Sequence, residues 1–301
     1  FSSIGDIALT TPVIRCLRNQ LNSEIDYFTK SEFTDLLKGN PYIRNIYSID
    51  NIYHSYKEKL GSNKYDIIID LQNNLRSLQI RNNLKIKSYV LNKQTIKRWL
   101  LIYSGINLLN NHIVDRYFDT IKSLGISNDN QGVDFFITKS CKLDFEIPVD
   151  YITWSISAAH SNKQLPYKKI AKVISLLNRP VVLIGGDLEN KEALLIMKDV
   201  NSDCVVNLCG KTTIEQSAYL ISNSRVFLTN DTGMMHIGSS FNVPMITFWG
   251  CTKPSLGFYP YRNKGKTINI ISNKSEKPCS KHGRYCRFSP DICIKEIESA
   301  D

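Results

Sequence analysis

The sequence predicts an α/β fold made of two parallel sheets, each covered by helices on both faces. Three observations predict it. Short β-branched and aromatic runs alternate with helical stretches along the whole chain. The strand runs of the second half are apolar throughout, as strands buried on both faces are. With 301 residues, 42% of them hydrophobic, the chain can fill two ordinary cores of about 150 residues each.

In order, the first half offers strands at "IDYF" (25–28), "NIYSID" (45–50), "YDIIIDL" (65–71) and "IKSYVL" (86–91), with helices at "TTPVIRCLRNQL" (10–21) and "SEFTDLLKG" (31–39). The second half offers "YITWSIS" (151–157), "PVVLIGG" (180–186), "SRVFLTN" (224–230) and "PMITFWG" (244–250). Between these lie the helical segments "PYKKIAKVISLL", "NKEALLIMKDV" and "TIEQSAYLISN". The polar, Pro-containing stretch "CKLDFEIPVD" (141–150) marks the break, giving units 1–146 and 147–301. Residue 1 is Phe, and "SSIGDIALTTP" reads as a loop and helix start without its preceding strand. The first unit is therefore expected to lack its first strand, and a signal peptide is left open.

No apolar run approaches the roughly 18 residues that span a bilayer. The net charge of +10 and pI near 9.1 favour an anionic partner. From Arg76 to Arg98 the chain carries Arg76, Arg81, Lys85, Lys87, Lys93, Lys97 and Arg98 with no acidic residue. That run is either a solvated helical face or an anion-binding surface. Its few aromatics argue against single-stranded nucleic acid and for a phosphorylated or membrane-bound acceptor.

In open parallel sheets ligands sit beyond the carboxyl ends of the strands. Four loops qualify: "SSIGDIALTTP", "AAHSNKQLP" (158–166), "DLENKE" (187–192) and "NDTGMMH" (230–236). The last breaks an apolar run and restarts as a helix, an arrangement that presents free backbone N–H groups to a phosphate. Lys163 stands between a strand and a helix where its ammonium reaches a phosphate, or it is a surface lysine. Two P-loop endings fail, because Val205 and Pro260 occupy the first-glycine positions before Gly210-Lys211-Thr212 and Gly265-Lys266-Thr267. Thr212 with Glu215 reads as a capping box. No Asp-x-Asp pair offers a divalent-cation site, so helix N-termini and a lysine are expected to neutralise a diphosphate.

Of eight cysteines, Cys16, Cys141, Cys204 and Cys209 read as small core residues. The tail "CSKHGRYCRFSPDIC" places Cys279, His282, Cys286 and Cys293 within fifteen residues, a set that suits structural zinc, a disulfide, or unpaired thiols.

Taken in order, "FSSIGDIALTTPVIRCLR", "DLQNNLRS", "HIVDRYFDTIKSLGI", "AAHSNKQLP", "VVLIGGDLENKE", "NLCGKTT" and "NDTGMMHIGSSFNVPMITFWGCTKP" resemble glycosyltransferase family 9, the ADP-heptose:lipopolysaccharide heptosyltransferases, over essentially the whole chain. The resemblance implies a GT-B architecture: two Rossmann-like domains facing across a cleft. It also implies inverting, metal-independent transfer from a nucleotide sugar, with no cofactor beyond the donor. It gives Asp6 the role of general base, against its reading as an N-cap, and gives Lys163 the leaving diphosphate. Asp231 then caps the helix or orients donors, while Thr232 and Gly233 supply a hydroxyl and N–H groups. His236 contacts phosphate if protonated or packs between strands. Gly5, Gly185, Gly186 and Thr212 complete the donor side, and Arg76, Arg81 and Lys85 face the acceptor. The implied partners are ADP-heptose and an anionic lipopolysaccharide-type glycolipid, met by a cytoplasmic enzyme peripheral to the inner membrane. "AHSNKQLP" lacks the tryptophan such enzymes often carry before the proline, so another nucleotide sugar stays open. A non-catalytic nucleotide-sugar binder and an epimerase acting on the donor alone are the other classes.

Overall fold

The computed structural model describes residues 3–49, 65–109, 111–200, 203–289 and 291–297. Asp50, the last residue of the second predicted strand, lies outside them. The second half forms one six-stranded, all-parallel sheet: β5 (Ile152–Ser155), β6 (Val181–Ile184), β7 (Val205–Asn207), β8 (Phe227–Asn230), β9 (Met245–Trp249) and β10 (Thr267–Ile271). Their order across the sheet is β10-β9-β8-β5-β6-β7, the doubly wound order with its switch point between β5 and β8. The apolar runs explain the sheet's depth: all four residues of β5, β6 and β8 are buried. β7 and β10 were not among the predicted strands. Val205–Asn207 is only three residues long, and Thr267 begins a strand directly after a Gly-Lys pair that reads as loop.

Helices α6 (Tyr167–Ile174), α7 (Asn190–Val200) and α8 (Ile214–Ser222) cover the sheet, the first two packing on Trp154, Ile156 and Leu183, α8 on Val182 and Phe227. The capping box of α8 is one residue later than expected. Thr213 Oγ1 accepts the Gln216 N–H at 3.1 Å, and Gln216 Oε1 accepts the Thr213 N–H at 2.9 Å. Thr212 instead shares a 2.8 Å hydrogen bond with Ser217, and Glu215 accepts the Thr138 N–H at 2.6 Å.

In the first half, β1 (Asp26–Thr29) pairs in parallel with β2 (Asn45–Ser48), and β3 (Ile68–Asp70) with β4 (Ser88–Val90). Helices α1 (Ile4–Ala8), α2 (Thr11–Leu21), α3 (Leu75–Leu84), α4 (Thr95–Ser104) and α5 (Ile113–Ile121) accompany them. "SEFTDL" is a 3₁₀ helix rather than an α-helix. Pro12 suits the first turn of α2, and Asn22 closes it in the left-handed conformation. The core joins Leu9, Val13 and Leu17 to Val114, Phe118 and Ile121. Buried Arg15 ties α2 to the segment leading to the second half, donating to Asp129 at 2.7 and 2.8 Å, to Gly132 O at 2.9 Å and to Asp134. A guanidinium with this many partners is compensated for its burial. The alternating pattern predicted a parallel sheet in each half. The second half forms one, whereas the described residues of the first half form two separate two-stranded parallel ladders, and the two halves meet along a cleft as the family resemblance implied.

Candidate active site

The switch point fixes one wall of the cleft. The loops after β5 and β8 diverge there, and the side chain of buried Asn230 joins them: its amide donates to Ser157 O at 3.1 Å and its oxygen accepts the Leu165 N–H at 3.3 Å. Held this way, Lys163 Nζ lies 2.9 Å from Asp231 Oδ2, both side chains nearly enclosed. Asp231 is therefore the partner of Lys163 and not a helix cap. The cap position of α9 (Gly233–Gly238) belongs to Thr232, whose hydroxyl makes no capping bond. Thr232 and Gly233 both line the cleft.

α1 forms the opposite wall. Its N-cap is Ser3, in a positive-φ conformation (φ 74°). Ser3 Oγ accepts the Asp6 N–H at 3.2 Å and donates to Asp6 Oδ2 at 2.9 Å. Asp6 is thus the third helical residue and not the cap itself, with one carboxylate oxygen held by Ser3. Burial pushes its pKa above the ordinary carboxylate range, opposed by the Ser3 hydrogen bond and by the positive charges of Lys281 and Lys93.

The two walls touch at glycines. A Cβ on Gly233 would lie 2.6 Å from Ile4 Cβ and 3.1 Å from the Gly5 nitrogen, and one on Gly5 would lie 2.7 Å from the His236 ring. Gly5 and Gly233 are small because two helix starts meet there. His236 packs into the same junction, 5% exposed, with Nδ1 lacking a hydrogen-bond partner among the described residues. Burial lowers its pKa to about 4, so the ring is neutral at physiological pH where it stands, and it is also one of the residues that line the cleft.

The resulting cleft holds about 820 Å³ and is lined from both halves of the chain. Seven Lys and Arg side chains line it against four Asp, which makes it a receptor for polyanions. Three of these cations come from regions read otherwise in the sequence. Lys281 and Arg284 sit in the cysteine-rich tail, and Lys253 follows β9. Burial lowers Lys281 to about 8, helped by nearby Arg98 and opposed by Asp6. The signal that could have found it was the charge of "SKHGR" itself, which the cysteines around it masked.

The basic run divides. Arg81 turns inward, its Nε 3.0 Å from Asp70 Oδ2 at the end of β3, and Lys93 and Arg98 also line the cleft. Arg76 and Lys85 are exposed on α3 and its C-cap, away from the lining. Gly185, Gly186 and Thr212 also lie outside it. The Gly186 N–H is taken by Glu189 Oε2 at 2.8 Å, so it is not open to a phosphate. In the tail, the group that joins Cys279, Cys286 and Cys293 is Cys251, from the loop after β9. His282 lines the cleft instead, because the tail's turn at Gly283 carries it across Lys163.

Known proteins share this fold. The chain is 25% identical to lipopolysaccharide heptosyltransferase 1 of Campylobacter coli, an alignment covering all of this chain and 94% of that protein. It is 26% identical to lipopolysaccharide heptosyltransferase 3 of Escherichia coli over 82% of this chain and 81% of the relative. Among solved structures, a family 9 glycosyltransferase from Veillonella parvula superposes with a TM-score of 0.75 at 20% identity, covering 93% of this chain and 90% of its own. The E. coli heptosyltransferase WaaC, solved with ADP, gives 0.72 at 18% identity, covering 99% and 94%. These likenesses establish the two-domain GT-B fold. The model of glycosyltransferase family 9 (heptosyltransferase) matches residues 53–288, and the chain is a glycosyltransferase belonging to that family.

Proposed function

We propose that this enzyme transfers heptose from ADP-heptose to a lipopolysaccharide core or related anionic glycolipid, with inversion and without a metal ion. The observation that carries the reading is the joining of Asp6 on one wall to the Lys163–Asp231 pair on the other, through the Gly5–Gly233 contact. The similarity to E. coli WaaC, solved with ADP and with ADP-2-deoxy-2-fluoro heptose, supports the donor.

In this reading Asp6 accepts the proton of the acceptor hydroxyl as that oxygen attacks the anomeric carbon. Its raised pKa makes it a better base than an exposed aspartate. Negative charge then grows on the departing diphosphate. Lys163 meets it, kept in place by Asp231, with the Thr232 hydroxyl and the Gly233 N–H at the start of α9 beside it. Arg81, Lys93 and Arg98 face the acceptor side of the cleft, while Arg76 and Lys85, exposed on α3, meet the anionic surface that holds a lipid-anchored acceptor. No helix among the described residues is long and apolar enough to cross a membrane. Peripheral contact at the inner face of the cytoplasmic membrane is the mode this reading requires.

Calorimetric titration of the full-length protein with ADP, UDP, GDP and CMP tests the donor. Selective ADP binding, weakened at least about tenfold by Lys163→Ala and retained by Asp6→Asn, supports it. A preference for UDP or GDP discards ADP-heptose.

A further inference from the structure

Four of the eight cysteines converge at a point the transfer chemistry does not use. Cys251 lies in the loop after β9, Cys279 and Cys286 flank the loop that carries Lys281, His282 and Arg284, and Cys293 lies in the short helix α10 (Ile292–Lys295). Their four sulfur atoms all lie within 4.8 Å of one another, with Cys279 and Cys293 3.8 Å apart and Cys286 and Cys293 3.3 Å apart. Cys251, Cys279 and Cys293 are buried.

Two alternatives compete for such a cluster. A disulfide needs sulfurs roughly 2 Å apart and joins them in pairs. All four are free thiols, and Cys293 lies near two partners at once. Around one ion with metal–sulfur bonds of about 2.3 Å, a tetrahedron has sulfur–sulfur edges of roughly 3.8 Å. The Cys279–Cys293 distance of 3.8 Å matches that edge, and the 3.3 Å Cys286–Cys293 distance and the 4.8 Å outer limit bracket it.

The surroundings fit as well. Four thiolates on a divalent ion leave a net negative site, which needs donors and a cation around it. Lys253, 3% exposed and donating to Ser272 O at 2.5 Å, places its charge against Cys293, Cys279 and Cys251.

We propose that Cys251, Cys279, Cys286 and Cys293 bind one transition-metal ion of the zinc class as a closed tetrathiolate site, which clasps the 280–285 loop over the cleft. The clasp has a direct line to the active site. Gly283, at φ +77°, lies so close to Lys163 that an added Cβ would sit 2.5 Å from its Cγ and Cδ, so the loop is the roof over the Lys163 stem. The Cys279 N–H also donates to Cys251 O at 2.8 Å, anchoring the loop's first residue to the end of the sheet. With all four positions filled by sulfur, no coordination site is open to substrate, and the ion's task is structural.

The test is elemental analysis of the full-length protein, purified without chelator and without a metal-affinity step, together with X-ray absorption at the edge of the metal found. One metal ion per chain in a four-sulfur shell is expected. Cys251→Ser and Cys286→Ser should each lower its occupancy, while Cys141→Ser leaves it unchanged. Should a variant fail to fold, the unaltered protein still decides. Stripping its metal should speed amide exchange across 279–293 by about tenfold or more and leave the six-stranded sheet protected. Metal-free protein with cysteine pairs joined as disulfides, or a metal without a four-sulfur shell, would overturn the proposal.

Discussion

The ammonium of Lys163 and the carboxylate of Asp231 form a 2.9 Å ion pair at the switch point of the large sheet, both nearly shielded from water. Each comes from a different loop, and Asn230 locks the two loops together. A lysine alone in such a loop has many rotamers. Its partner removes most of them, so the charge is already aimed when a diphosphate arrives.

Asp231→Asn should therefore weaken the donor site without emptying it. Losing a shielded charge partner is worth about 1–3 kcal/mol, so the donor KM is expected to rise roughly tenfold or more. Lys163→Ala should cost at least as much and also lower kcat, because Lys163 meets charge that grows in the transition state. Steady-state kinetics with the donor varied separates the two effects.

The pH dependence of kcat/KM should be a bell. Asp6 acts as a base only when ionised, and burial places its pKa above that of a free aspartate, so activity falls with acid earlier than an ordinary carboxylate would dictate. Lys281 is cationic only below about 8, so the second limb descends above that pH. Asp6→Asn should lower kcat by about 10²- to 10⁴-fold and leave nucleotide affinity intact. Lys281→Arg should push the alkaline limb upward. A profile that keeps its alkaline limb in that variant contradicts the assignment.

Gly233→Ala tests the junction. The added methyl meets Ile4 at 2.6 Å and the backbone nitrogen of Gly5 at 3.1 Å, so α1 must shift. Overpacking of this kind costs about 1–3 kcal/mol. The melting temperature should drop by a few degrees while far-UV circular dichroism is unchanged, and kcat should fall more than stability does because α1 carries Asp6.

Two buried histidines make stability sensitive to mild acid. Burial lowers His236 to about 4 and His112 to about 3. As pH drops below the unfolded value near 6.5, the unfolded chain takes up protons that the folded protein refuses, so stability declines until pH passes the folded values. His236 alone contributes on the order of 3 kcal/mol to this loss. Urea midpoints at pH 7.5 and pH 4.5 should differ markedly, and His236→Gln should narrow the difference.

Much of the large sheet was legible because burial on both faces writes itself as apolar runs: β5, β6, β8 and β9 were all visible. β7 and β10 were not, since three residues beside a turn, or a strand carrying Asn269 at its centre, leave no such signature. Asp6 and Lys163, read from loop position and family likeness together, both line the cleft. Lys281 and Arg284 were hidden because a lysine's role depends on which cavity the fold turns it toward. The cysteines illustrate the same limit. Sequence proximity nominated His282, whereas the fold brings in Cys251 from twenty-eight residues before Cys279.

The glycine junction has a mechanical meaning. Because neither Gly5 nor Gly233 carries a Cβ, Ile4 and the His236 ring fill the space between the two helix starts, and the halves go on packing beyond them where Ile7, Ala8 and Leu37 meet Ala218 and Ile237. Asp6 is one residue from Gly5, and Asp231 two residues from Gly233, so the spacing of the two carboxylates across the cleft is set by this contact rather than by the longer loops around the rim.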